Sequence, residues 1–234
     1  SLGHLGTVEL ASASLAGSTA NVTGFSVISG LVSALDTLLP ASYTRQPHLM
    51  GLWTQRVGLM VLAVLPLIFF LWLNAERGLI LLGQDPDIAY NARQFLMVLS
   101  FGLPGVAIFE LCRRFLQAQG MMHAPTVVLI IVSPLNAVAN FFLVWGPEKY
   151  RIGFLGAPMA SALSMWLMAA LCVVQCAVAC RETWGGFSRD MWDPAALRTC
   201  ASLGLAGLIS LASEWWAWEI VGLVTAALGT RALA

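Results

Sequence analysis

Val57-Gly58-Leu59-Met60-Val61-Leu62-Ala63-Val64-Leu65-Pro66-Leu67-Ile68-Phe69-Phe70-Leu71-Trp72-Leu73-Asn74-Ala75 contains no Asp, Glu, Lys or Arg. As a helix this run is about 28 Å long, close to the ~30 Å hydrocarbon thickness of a bilayer. A helix apolar on every face is either deeply buried or lipid-facing, and the length favours a membrane span. Further charge-free runs lie on both sides of it, at 10–35, 94–109, 115–147, 152–180 and 199–213, the last resuming beyond Glu214 and Glu219. The expected fold is an all-α membrane protein of about six transmembrane helices.

The composition agrees. The chain has 234 residues, of which 59% are hydrophobic and 10% charged; its mean hydropathy is +0.80. Soluble domains are about 45–50% apolar and about 25% charged. Folded surfaces need polar groups to face water, so lipid is the solvent that this sequence suits. The 12 basic and 12 acidic residues cancel, which gives no electrostatic footprint for nucleic acid. Cys172, Cys176 and Cys180 repeat every four residues on one expected helix. With no His or carboxylate beside them at ligand spacing, they read as small apolar packing residues and not as a metal site.

Turn chemistry separates the runs. Pro40 and Pro47 flank the first loop, and Gly83, Asp85 and Pro86 the second. Gly120, His123 and Pro125 mark the third, and Gly146 and Pro147 the fourth. The fifth covers residues 184–194 and contains Gly185 and Gly186. Arg45, Arg56, Arg113, Arg114, Arg181, Arg189 and Arg198 fall on one side of the expected membrane, and Arg77, Arg93, Lys149, Arg151 and Arg231 on the other. The bias is small and assigns the first set to the cytoplasm. Small residues crowd the first run, at Ala11, Ser12, Ala13, Ser14, Ala16, Gly17, Ser18 and Ala20, as expected where helices approach closely in lipid.

Ionisable groups at membrane depth carry the functional signal, because an unpartnered charge there costs at least about 2.5–3.5 kcal/mol. Glu214-Trp215-Trp216-Ala217-Trp218-Glu219 interrupts the last run mid-span. Burial disfavours a charged carboxylate, so such a group can exchange protons or release one to a bound cation. Glu214 and Trp218 share a helix face, as do Trp215 and Glu219. An indole beside a carboxylate suits a bulky organic cation; the bland alternative is an interfacial tryptophan belt. Asp36 precedes Pro40, which is expected to end or kink its helix. Asp36 is expected either to take part in gating or proton movement, or to cap a neighbouring helix or pair with an arginine. Glu110 shares a face with Arg113 and Arg114 and reads as a structural ion pair. Asn136 and Asn140 follow Ser133-Pro134 and either line a cavity or bond between helices. The sequon Asn21-Val22-Thr23 lies within an expected span and is not a site for modification.

With these residues in place, the chain resembles the eukaryotic MATE (multidrug and toxic compound extrusion) transporters, most of all fungal members. The resemblance rests on Gly3-His4-Leu5-Gly6 with Glu9-Leu10-Ala11, on Asn21-Val22-Thr23-Gly24-Phe25-Ser26, and on Ala34-Leu35-Asp36-Thr37-Leu38. It rests equally on Gly51-Leu52-Trp53-Thr54-Gln55-Arg56, on Arg114-Phe115-Leu116-Gln117-Ala118-Gln119, and on the run from Glu214 to Glu219. After Leu38 the chain departs from plant and animal members, reading Leu39-Pro40-Ala41-Ser42-Tyr43-Thr44.

The resemblance implies a twelve-helix, two-lobe antiporter, monomeric when full length. This chain would be an internal fragment, beginning at Ser1 and not at Met. Residues 1–190 would supply helices two to six of the first lobe, whose first helix is missing. Residues 191–234 would supply helix seven, with the rest of the second lobe missing. Implied partners are organic cations and drugs, in a plasma or vacuolar membrane. The implied coupling ion is a proton, with sodium as the alternative and no other cofactor. Glu214, Glu219 and Asp36 fall on the family's acidic positions. Trp215, Trp218, Asn136 and Asn140 are the expected pocket residues. The rivals are a lipid-linked glycan flippase of related architecture and a truncated, non-transporting product. An intramembrane enzyme is not expected, since no nucleophile elbow, no His-Glu-x-x-His and no histidine cluster is present.

Overall fold

A computed structural model describes residues 6–147 and 151–228; the side chains of Glu219 and of residues 222–228 lie outside that description. Gly3, His4, Lys149 and Arg231 therefore lie outside the described residues. Among those described, the regular structure is entirely helical. Helix α1 runs over Thr7–Arg45. Helix α2 is Met50–Leu73, entered through a tight turn at Pro47–Leu49. The short α3 is Ala75–Leu81, followed by α4, Pro86–Ser100, and α5, Leu103–Ala118. Then come α6, His123–Trp145, and α7, Gly156–Ala179. A single turn, α8, Arg181–Trp184, leads to α9, Pro194–Leu228. Among the described residues, five helices are long and apolar enough to cross a membrane by themselves, and the bent pair α4–α5 makes up to 6.

Two boundaries differ from those expected. Pro40 does not end α1, which continues to Arg45. Its missing N–H frees the carbonyl of Asp36, but the irregularity comes earlier. At Ser33 the hydroxyl bonds Gly30 O at 2.7 Å, and Asp36 N bonds Ser33 O at 2.9 Å, so the turn tightens and the helix carries on. The run 94–109 is not one straight helix either. The axis turns by 51° between α4 and α5. Phe101-Gly102-Leu103-Pro104 explains the bend: Pro104 cannot donate to the preceding turn. The indole N–H of Trp166 donates to the exposed carbonyl of Phe101 at 2.8 Å.

Packing inside the bundle rests on close backbone approach, as lipid-embedded helices require. In α1 the buried stripe Ser12, Ala16 and Ala20 lies in the stretch that packs on α4, whose own buried positions include Ala89, Ala92 and Leu96. One wide π-type turn, Asn21–Phe25, follows this stripe. It seats Trp72 of α2: the indole donates to Thr23 Oγ1 at 2.9 Å and meets Phe25 edge to face at 6.2 Å. A Cβ at Gly24 would overlap the Trp72 ring. Further along, α1 crosses α9 where Gly30 faces Leu208 and Gly207 faces Ser33. Helix α7 packs against α4, α5 and α6. At the α5 contact, side chains added to Gly102 or Gly105 would strike Met165.

Candidate functional site

The acidic residues singled out from the sequence occupy different environments. Glu214 lies on α9, twenty residues beyond Pro194 and well before the helix ends at Leu228. That places it roughly 30 Å along the helix, past its middle. It is exposed on the surface of this chain, as are Trp216 and Trp218, with Trp215 at the edge of exposure. Trp218 is 73% exposed, so nothing described in this chain covers its ring. Glu219 is in the same helix, and its side chain lies outside the described residues.

Asp36 is engaged. Its Oδ1 accepts from Arg114 Nη1 of α5 at 2.8 Å. The pair borders a cavity of about 160 Å³ lined by Leu35, Pro40, Gln117 and Ala118 as well. Glu110 pairs with Arg113 alone, at 2.6 Å. The three-residue group expected on one face is thus divided: Arg113 stays within α5, and Arg114 reaches across to α1.

Asn136 bonds between helices: its Nδ2 donates to Ser164 Oγ at 2.8 Å and to Ala160 O at 3.2 Å, both on α7. Asn140 is half-buried one turn on. Helix α6 packs chiefly on α7, whereas α9 packs on α1 and α2. Asn136 and Asn140 are therefore not gathered with Trp215, Trp218 and Glu214. Among the described residues, Cys172, Cys176 and Cys180 form no group able to hold a metal ion. The Asn21 sequon sits inside α1, with Thr23 Oγ1 bonded to Thr19 O at 2.6 Å and taken up again by Trp72.

The structure also gathers a cluster that polarity at membrane depth did not single out. Gln55 and Arg56 are 8% and 7% exposed at the start of α2, beneath the segment that joins α8 to α9. From the sequence Arg56 is a cytoplasmic flank and the last residue of a stretch that carries the family resemblance, with no partner indicated. The signal available was Gly51-Leu52-Trp53-Thr54-Gln55-Arg56 itself, with a glycine and an aromatic ring one turn from a cation.

Long apolar helices packed through small residues, with carboxylates and indoles set within a span, define a multispan helical membrane protein with the polar features of a transporter. The comparisons identify the family. The MatE family matches residues 1–142, and the chain belongs to it. MatE is a family of transporters and not of enzymes.

An uncharacterized transporter of Schizosaccharomyces pombe is 40% identical over 239 residues, covering 100% of this chain and 43% of its own length. The mouse multidrug and toxin extrusion protein 2 is 35% identical, covering 93% of this chain and 38% of itself. Among solved structures, the eukaryotic MATE transporter AtDTX14 superimposes with a TM-score of 0.89 at 28% identity, over 99% of this chain and 51% of that one. The chain spans about half the length of the relatives it matches.

Proposed function

We propose that the full-length protein carrying this chain exports organic cations in exchange for protons, with Glu214 as the residue at which the two compete. The observation that carries this reading is the placement of Glu214 inside α9, far from both helix ends and flanked by Trp215 and Trp218. A carboxylate at such depth is retained against a cost. The charged form holds a cation, helped by the ring faces. Protonation removes the charge and releases it. Alternating access of two lobes about a midplane site turns this competition into transport. Only a ligand that binds the two states differently can drive the change.

Glu219 serves as a second acidic contact. Asp36 acts at the cytoplasmic end, where exchange of its Arg114 partner for water accompanies movement of α1 against α5. The protein works as a monomer in a plasma or vacuolar membrane. Similarity to a relative named multidrug and toxin extrusion protein 2 supports the substrate class.

The test is uptake of tetraphenylphosphonium into proteoliposomes of the full-length protein under an imposed pH gradient, or under a sodium gradient of equal size. Uptake driven by the proton gradient alone supports the reading. Uptake driven only by sodium would replace the coupling ion, and uptake driven by neither would contradict export by exchange.

A further inference from the structure

Residues 180–193 join α7 to α9, and they do not run free between them. Thr183 Oγ1 donates to Gln119 Oε1 at 2.9 Å. Trp184 meets Phe115 edge to face at 5.9 Å and Phe187 at 5.5 Å. Gln55 Nε2 donates to Gly186 O at 2.7 Å, and Arg56 Nη2 donates to Asp190 O at 3.0 Å. A Cβ at Gly51 would overlap the carbonyl oxygen of Trp184, so the strand lies directly on the first turn of α2. Gly185 and Gly186 have φ of +66° and +79°, a conformation that favours glycine and lets the chain fold back over His48.

The seat is poorly compensated. Arg56 is buried, yet among the described residues no carboxylate lies within ion-pair distance of it. Its partners are one main-chain carbonyl and the ring of Trp53, 4.6 Å from the guanidinium carbon. Among the described residues, its Nε and the Oε1 of Gln55 have no hydrogen-bond partner. The bonds from Gln55 and Arg56 are single contacts to main-chain carbonyls, each of modest net worth against water. Cys200 is fully buried in the first turns of α9, seven residues beyond Asp193 at the end of this segment.

We infer that residues 183–190 form a strap that docks reversibly on Gly51, Gln55 and Arg56, and that its docking fastens the start of α9 to α2. Arg56 is the peg of this latch. Release of the strap hydrates Arg56 and frees the start of α9 to move against α2. The device belongs to this chain and requires neither a transported drug nor a coupling ion, so its test is independent of the transport reading.

The experiment follows modification of Cys200 by N-ethylmaleimide in the full-length protein, read by peptide mass spectrometry without drug. Cys172, buried on α7 away from the strap, is the internal control. Wild type should modify Cys200 slowly but measurably. Arg56→Gln should raise that rate about tenfold or more, the loss expected for one charge-assisted hydrogen bond, and Gly51→Ala should raise it as well, because its Cβ would overlap the carbonyl oxygen of Trp184. Arg56→Lys, which keeps the cation, should fall between. Cys172 should not change. Cys200 rates that are equal in wild type, Arg56→Gln and Gly51→Ala would overturn the latch. So would a parallel rise at Cys172, which would mean general loosening of the bundle.

Discussion

Trp72 and Trp218 are the same residue type on two apolar helices, and their surroundings differ in every respect. Trp72 is fully buried, its N–H is bonded to Thr23, and its ring is boxed by Gly24 and Phe25. Trp218 is 73% exposed on α9, in the run that also holds Glu214. The first is satisfied by this chain alone. The second has no cover among the described residues, and the chain spans about half the length of its relatives. Aromatic residues inside the bundle are there for packing. Those on α9, Trp215, Trp216 and Trp218, are exposed on this chain, in the same run as the candidate coupling residue Glu214.

The largest effect expected from this contrast is at the crossing of α1 with α9. Gly30→Leu would drive a side chain into the backbone of Leu208. It should cost about 3 kcal/mol or more. Gly17 in the same helix has nothing near its missing Cβ. Gly17→Ala should therefore stabilise by about 0.5 kcal/mol. Thermal unfolding of the two variants in detergent checks both signs, and equal losses would break the assignment of the crossing.

Next in size, Trp72→Ala should cost about 2–4 kcal/mol, on the low side of soluble cores because lipid also solvates an indole. Trp216→Ala, half exposed on α9, should stay within about 0.5 kcal/mol. Denaturant titrations of both would sharpen the comparison directly. A large loss at Trp216 would show that its ring is held by the bundle after all.

The smallest effect belongs to Asp36 and Arg114, with side chains 47% and 22% exposed. A double-mutant cycle with Asp36→Asn and Arg114→Gln should give a coupling of about 0.2–1 kcal/mol, because exposure screens the pair. Coupling well above that range would make the pair a structural clamp and not a contact exchanged during movement.

Much of the architecture was legible because lipid imposes simple rules. Charge-free runs near bilayer length gave the spans, and Gly83-Gln84-Asp85-Pro86 gave a real turn before α4. The bend at Phe101 lies inside an uninterrupted apolar run, where only Gly102 and Pro104 mark it; Pro66, by contrast, stands inside α2, which runs unbroken over Met50–Leu73. Pro40 reads as an end or a kink, and the first of these does not occur: α1 runs on past it to Arg45, as a helix packed among neighbours can. At the candidate site, Glu214 stood out as a charge in the wrong solvent. The partners of Asp36 and Asn136 depended on which helices meet, which sequence spacing along one helix does not contain. The strap was hidden for the same reason: its bonds join Gln55 to Gly186 and Arg56 to Asp190, positions more than 130 residues apart.

The most direct test of the central claim is cation-dependent proton movement in proteoliposomes of the full-length protein, with and without Glu214→Gln. A pH change that appears only when a cationic drug is added, and that disappears in Glu214→Gln while the variant remains folded, is the predicted result. Drug-linked proton movement of equal size in the variant would contradict the assignment of Glu214 as the coupling residue.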